Sequence, residues 1–311
     1  MSLSIIIPVL NDPIEIHLTI ASIRETAGSE PEIIVIDDAS PDPVVPEDTF
    51  ANVRWIRNDK RLGGGAARHL GVLKARGSHV LFTDSHMRFT PGWYANAMER
   101  IQDRPTTVHC GSCLGLNENN MDVTNPEGVY RGAKLNYLGS DPNQVSKKQV
   151  LEGVWNGPEV KDDDQIECLM GACYFWPREF FLHTGGMTVL RQWGSEEPFT
   201  SIKAYLCGGD IRFMENVKIG HKFRRDSPYE THWATLVYNK IAMAMLTMPE
   251  EAAASLIDKL SGCYDPSAIN AAKSMIAQDH RFLKIERERL KSIQKMSFEE
   301  LLAKFGHERW W

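Results

Sequence analysis

Val80-Leu81-Phe82-Thr83-Asp84-Ser85-His86 is the stretch whose reading decides the fold. An apolar run of β-forming residues stops at an acid, a small residue and a histidine. A strand buried on both faces of a parallel sheet reads as such a short apolar run. In open α/β sheets, ligands bind beyond the carboxyl ends of the strands. Asp84 and His86 stand at such an end. In extended chain, residues i and i+2 point the same way, so a carboxylate and an imidazole converge. A hard oxygen with a borderline nitrogen suits Mn²⁺, Mg²⁺ or Zn²⁺. The triplet also reads as a strand-end aspartate capping the next turn beside an unrelated histidine. Both readings stay open on these residues alone.

The flanking segments repeat the design. Leu3 to Val9 is an apolar run that turns at Asn11-Asp12-Pro13 into a helical pattern of Ile16, Ile20 and Ile23, ended by Gly28. Glu32 to Ile36 reads as a second strand, closing on Asp37-Asp38-Ala39-Ser40, and Pro41 to Pro46 as a loop. Val53 to Arg57 is a third strand. Gly63-Gly64-Gly65 opens a helix to about Arg76, and Val80 to Thr83 is the fourth strand. This alternation predicts an α/β fold: a mostly parallel central sheet with helices on both faces.

Further on, Pro91-Gly92-Trp93 starts a helix, and Thr106 to Cys110 suggests a strand. Residues 115–164 read as a loop-rich insertion over the active face, with Lys161-Asp162-Asp163-Asp164 solvated. Ile166 to Trp176 is apolar again. A helix follows Trp193-Gly194-Ser195-Glu196-Glu197. Ile211 to Met214 and Val217 to Ile219 are strand pieces leading to His221. From about Trp233 the pattern is helical. The expected division is a domain over 1–235 and a helical appendage over 236–311.

The 311 residues are 42% hydrophobic and 24% charged, with net charge −6, an ordinary globular balance. That charge does not suggest a nucleic-acid or membrane-surface binder. No apolar run approaches the ~18–20 residues of a membrane span. The N-terminus lacks the basic segment of a signal peptide. Cys110-Gly111-Ser112-Cys113 has no second pair at matching spacing, so the six cysteines read as free thiols and the location as cytoplasmic.

Several groups carry candidate chemistry. Acids ending the second strand of a nucleotide-binding sheet accept hydrogen bonds from ribose or base. Asp37 and Asp38 fit that role, or an Asx/Ser turn. Gly63-Gly64-Gly65 lacks the spacing of either phosphate fingerprint and equally allows tight helix–sheet packing. Arg61 and Arg68 flank it, and arginine's planar fork suits phosphate. In His221-Lys222-Phe223-Arg224-Arg225, a histidine beside two arginines calls for an anion among them. Trp193 to Glu197 puts two carboxylates behind an indole and a glycine hinge, a lid with an acid at its base. Ser195 is also placed to cap the helix, with the glutamates in its first turn.

The order of these pieces resembles a GT-A glycosyltransferase, and more closely the catalytic domain of the polypeptide N-acetylgalactosaminyltransferases. The resemblance is carried by Asp37 to Ser40, Arg61 to Gly77, Asp84-Ser85-His86 with Gly92-Trp93 behind it, and Gly171-Ala172. Trp193-Gly194-Ser195-Glu196 through Cys207-Gly208-Gly209, and Val217 to Arg224 followed by Pro228-Tyr229, complete it over about residues 3–235. It implies a metal-dependent, retaining transfer from a UDP-sugar. Asp84, His86 and His221 would hold Mn²⁺ (or Mg²⁺), and Arg224 and Tyr229 the diphosphate. Asp37, Asp38 and Arg61 would face the nucleotide, and Gly171 and Ala172 the sugar. Trp193 would be the lid, and Glu196 would stand near sugar and acceptor.

The chain departs from that family at Glu197, where the family has Asn, at Ser195, where it has Gly, and at Pro8 and Leu10 near the nucleotide. The sugar (GalNAc, GlcNAc or a hexose) therefore stays open. The acceptor reads as a protein Ser/Thr or a glycan. Hydroxymethylated DNA is the alternative: residues 273–295 carry Lys273, Arg281, Lys284, Arg287, Arg289, Lys291 and Lys295 against Asp279, Glu286 and Glu288. The bland reading of that run is a solvated helix face with Glu288 and Lys291 paired. A non-catalytic nucleotide-sugar binder and a nucleotidyltransferase are the competing classes; the second lacks its glycine-rich phosphate loop.

Overall fold

The structure is a computed structural model that describes residues 2–44, 50, 52–102, 104–138, 150–226 and 228–311. Pro46 of the proline-rich loop and residues 139–149 of the 115–164 insertion lie outside the described residues.

Strand β1 (Leu3–Val9) is buried along nearly its whole length. Isoleucines on both faces leave it no exposed side, so it pairs in parallel with β2 (Glu32–Asp37) and β4 (His79–Phe82). β3 (Val53–Arg57) adds to β2, also in parallel. Beyond β4 the sheet is mixed. β5 (Met87–Phe89), β6 (Thr107–Leu116), β7 (Gly128–Tyr130), β10 (Tyr174–Pro177) and β11 (Asp210–Lys222) complete it, in the order β3-β2-β1-β4-β10-β6-β11-β5 with β7 on β6. β10 runs antiparallel to both its neighbours, while β6 and β11 are parallel. The α/β sheet read from sequence stands: it is all parallel over β3-β2-β1-β4 and mixed beyond, where β6 and β11 are the parallel pair. The two strand pieces near His221 are one strand with a register shift between Met214 and Lys218. Part of the supposed loop insertion is a hairpin, β8 (Ala133–Asn136) with β9 (Glu152–Trp155).

Alternation along β1 divides the core. Ile5 and Ile7 pack with Ile16, Ile20 and Trp93 from α1 (Pro13–Ala27) and α3 (Trp93–Arg100). Ile6 faces the other way, toward Ala67 and Val72 of α2 (Gly64–Lys74). A Cβ at Gly71 would come within 2.3 Å of Ile6 Cγ2, so glycine there lets α2 lie close on the sheet.

The remaining helices are α4 (Arg178–His183), α5 (Glu196–Leu206), α6 (Trp233–Thr247), α7 (Glu250–Ser261), α8 (Pro266–Ile293) and α9 (Phe298–Lys304). Val237, Ile241, Leu283 and Leu302 of this C-terminal part join the same core as Ile6 and Phe82.

Several surface expectations are corrected. Arg287 donates to the Met245 carbonyl, and Arg289 donates to the carbonyls of His183 and Thr184 at 3.0 and 2.9 Å. These two cations tie α8 to the body rather than facing a polyanion. Glu288 lies 4.0 Å from Lys284, not paired with Lys291. Asp162 and Asp163 are not merely solvated: both accept from Arg100, and Asp163 also from Arg104.

His109 on β6 is 1% exposed, and neither ring nitrogen has a partner. Burial, then Arg104 and Arg100, push its pKa down to about 3, with Asp210 opposing weakly. The unfolded chain takes up a proton near pH 6.5 that the folded chain refuses, so stability is full above that pH and falls below it. Between pH 7 and pH 5 His109 alone costs about 2 kcal/mol. Urea unfolding of His109→Leu is expected to show a pH-dependent loss smaller by that amount. An equal loss in both proteins would rule out a neutral buried His109.

Candidate active site

The carboxyl ends of β1, β2 and β4, with the end of β11, open into a cleft of about 540 Å³. Asp84, His86 and His221 meet at it, their ligating atoms all within 4.8 Å of one another. The i, i+2 geometry brings Asp84 and His86 together. His221 is added because β11 pairs antiparallel with β5, setting His221 opposite Met87.

His221 Nε2 lies 3.4 Å from Asp84 Oδ2, and Arg68 donates to Asp84 Oδ1. Burial alone would raise the Asp84 carboxyl. Arg68 and His221 outweigh it and hold the group well below the usual carboxylate range. For His221, burial outweighs Asp84 and pulls the imidazole down, toward its neutral form. An ionised carboxylate with two imidazoles is a donor set that fits a divalent cation of the Mn²⁺ or Mg²⁺ kind.

Asp12, taken from sequence only as part of a turn, is the hub behind this cluster. Its Oδ2 accepts from Ser85 Oγ and Arg224 Nη2, both at 2.7 Å, and lies 3.7 Å from His86 Nδ1. The rule that singled out Asp38 and Asp84, an acid just past a strand end, points equally to Asp12. Burial opposes ionisation there, but His86, Ser85 and Arg224 win and lower its pKa.

The two acids after β2 part company. Asp38 lines the cleft and accepts from Leu62 N, Gly63 N and Asn58 Nδ2 at 2.7–2.9 Å. Asp37 does not line it: its carboxylate takes Arg57, Ser40 N and Val44 N. Arg61 lies over the Tyr229 ring at 5.1 Å and donates to the Glu230 carbonyl. Arg61, Arg224 and Arg68 all line the cleft, and each keeps a buried Nε–H without a partner among the described residues.

The Trp193 segment is held from beneath. Gly63 has φ +98°, and a Cβ there would sit 2.1 Å from Gln192 Cα. Gly64 N donates to the Gln192 carbonyl at 2.7 Å. The glycine triplet thus serves a close backbone approach. Ser195 does not cap α5 with its side chain. Instead Glu196 Oε2 accepts from Gly194 N at 2.9 Å. Glu196 is 4% exposed, and burial raises its pKa against the opposing pull of Arg68. The Trp193 side chain is 48% exposed at the rim. Gly171 and Ala172 line the cleft with φ +89° and +50°.

Residues 115–164 do reach the active face as expected, but sequence reasoning singled out none of the residues that do so. Glu152, Gly153, Trp155 and Met170 line the cleft, with Phe223 beside them. Trp155 packs on Tyr130 at 4.6 Å between centroids, and Phe223 on His221 at 4.5 Å. Residues 115–164 carry no periodicity that would announce this.

Residues 4–151 match the family model described as Glycosyl transferase family 2. Mouse Polypeptide N-acetylgalactosaminyltransferase 5 is 28% identical over 210 residues, 64% of this chain and 22% of the relative. Putative polypeptide N-acetylgalactosaminyltransferase 9 of Drosophila melanogaster is 30% identical over 236 residues, 70% of this chain and 35% of the relative. The chain thus spans between about a fifth and just over a third of the length of these curated relatives. Among solved structures, GalNAc-T7 with UDP, GalNAc and Mn²⁺ superposes with TM-score 0.68 at 20% identity, over 98% of this chain and 56% of that one. S. aureus TarS 1-349 in complex with UDP-GlcNAc gives 0.57 at 14% identity, over 100% and 93%. Residues 4–151 thus match glycosyl transferase family 2, the fold is GT-A, and the chain resembles the catalytic domain of the polypeptide N-acetylgalactosaminyltransferases.

Proposed function

We propose that this chain is a metal-dependent, retaining glycosyltransferase that moves a sugar from a UDP-sugar to a hydroxyl of a protein or glycan acceptor. The observation that carries the reading is the meeting of Asp84, His86 and His221 at the strand ends of a cleft lined by three arginines. Similarity to a protein solved with UDP and Mn²⁺ supports the donor and the ion.

In this reading Asp84, His86 and His221 hold Mn²⁺, with Mg²⁺ the other candidate. When bound, the ion supplies Lewis-acid stabilisation of the leaving diphosphate. Arg224, oriented by Asp12, presents its guanidinium to the phosphates beside Tyr229. Asp38 fixes the loop at Leu62 and Gly63, and with Arg61 forms the nucleotide end. Asp37 supports that end through Arg57 without reaching the ligand. Gly171 and Ala172 let the sugar approach the backbone. Glu196 stands under Trp193, where exclusion of water strengthens its electrostatic action on sugar and acceptor. Retention, and GalNAc, GlcNAc or hexose as the sugar, follow the resemblance.

Among the described residues no helix is long and apolar enough to cross a membrane. The six cysteines are free, five of them buried, which fits a reducing compartment, and we place the chain in the cytoplasm. With Arg287 and Arg289 bound to backbone carbonyls, no observation favours DNA over a protein or glycan acceptor.

The deciding experiment measures UDP release from a panel of UDP-sugars with Mn²⁺, then screens acceptors by mass spectrometry; an inert panel sinks the reading. Asp84→Ala and His221→Ala are each expected to abolish Mn²⁺-dependent release while circular dichroism stays unchanged. Normal metal-dependent release in either variant would dismiss the metal assignment. Arg224→Lys keeps the charge but loses the fork. Its kcat/KM for the UDP-sugar is expected to fall about tenfold, roughly 1.4 kcal/mol. An unchanged value would move Arg224 away from the diphosphate.

A further inference from the structure

Lys240 lies in the middle of α6, and its side chain is 0% exposed. A lysine ammonium is among the costliest groups to bury, so its partners define why it is there. Among the described residues all of them lie on one short stretch. Nζ donates to the Val150 carbonyl at 2.7 Å and approaches the Leu151 carbonyl at 3.4 Å. It also pairs with Glu152 Oε1. Leu151 has φ +56°, a conformation that a leucine rarely adopts unless its surroundings impose it. The three acceptors gathered on one cation lie at and beside this residue.

The stretch so held enters the cleft. Glu152, Gly153 and Trp155 line it, and the Glu152 side chain is 27% exposed where its partner is sealed. The ammonium engages Oε1 alone. A carboxylate has about four lone-pair sites, so Glu152 keeps acceptor capacity beyond that pair. Burial lowers the Lys240 pKa, with Glu152 opposing, so the cation depends on this one carboxylate.

Resting on the transferase reading, we propose that Glu152 binds a substrate hydroxyl in the cleft and that Lys240 is its positioning residue. The hydroxyl belongs to the donor sugar or to the acceptor; both offer the same O–H to an acceptor oxygen. A charge-assisted bond of this kind fixes an orientation as well as adding affinity. The C-terminal helices then form part of the substrate-binding machinery.

The test is Glu152→Gln, which retains a side-chain oxygen for Lys240. Calorimetry with UDP and MnCl₂ is expected to match wild type, because the hydroxyl assigned to Glu152 belongs to the sugar or the acceptor and not to UDP. kcat/KM is expected to fall about tenfold, the size of a lost hydrogen bond to a charged group. If the sugar is the ligand, the loss appears already in acceptor-free hydrolysis of the UDP-sugar. If the acceptor is the ligand, hydrolysis is unchanged and the loss appears only in transfer to the acceptor found by mass spectrometry. Lys240→Met is expected to lower kcat/KM likewise, and the double variant to lose no more than the worse single one, as coupled residues do. Should Lys240→Met not fold, Glu152→Gln decides alone. Wild-type kinetics for Glu152→Gln in both arms overturn the inference and leave the transferase reading standing. An inert wild type overturns both.

Discussion

A half-buried carboxylate just past the end of a strand is held firmly ionised where cations or donors surround it. Asp84 is that carboxylate, and much of the cleft follows from keeping it charged. Arg68 supplies the nearest cation and is itself 7% exposed. Arg68 stands on the first turns of α2, so the start of α2 must be fixed. Asp38 does that by accepting from Leu62 N and Gly63 N. Gly63 in turn abuts Gln192, next to Trp193. Cation cluster, nucleotide loop and rim segment are therefore one connected arrangement rather than three motifs. A change at any link would reach Asp84.

The same logic explains the pairing of opposite charges around Asp12. Lys222 and Arg224 stand within three residues at the end of β11, beside the imidazole of His221. Cations at that density repel unless anions interleave them. Asp12 takes Arg224, Glu15 takes Lys222 at 2.9 Å and also Arg88, and Asp84 faces His221. The acids of the first loop and helix thus neutralise the last strand, although more than 200 residues separate them in sequence.

The first half of the fold was legible because its strands are buried on both faces and closed by short turns. Leu3 to Val9 and Val80 to Phe82 leave no other reading, and the rule that ligands gather at strand carboxyl ends placed Asp38, Asp84 and His221 beside one cleft. Asp12 was open to the same rule but was masked by Asn11 and Pro13, which also spell a turn. Asp37 and Asp38 could not be told apart, since neighbouring residues on extended chain point to opposite sides and sequence does not say which side is the cleft. The antiparallel entry of β10 was hidden because an apolar strand of four residues reads alike in either direction. Trp155 and Glu152 were beyond reach: the hairpin that carries them pairs across a long insertion, and no local periodicity encodes that pairing.

The expected boundary at residue 235 was drawn where the resemblance was read to end, and packing continues across it. On α6, Asn239 and Lys240 are adjacent and both 0% exposed. Asn239 accepts from Arg191 N at 2.8 Å and donates to the Arg191 and Gly194 carbonyls at 2.9 Å, holding the base of the Trp193 segment. Lys240 holds the strand opposite. Buried polar groups of this kind are costly when a partner is missing. A helix that carries two of them in succession, each satisfied by a different wall of the cleft, cannot be removed without leaving both walls with broken hydrogen bonds. The α/β part and the C-terminal helices are thus bound through polar contacts at the cleft as well as through their common apolar core, and it is the polar contacts that fix where each wall stands.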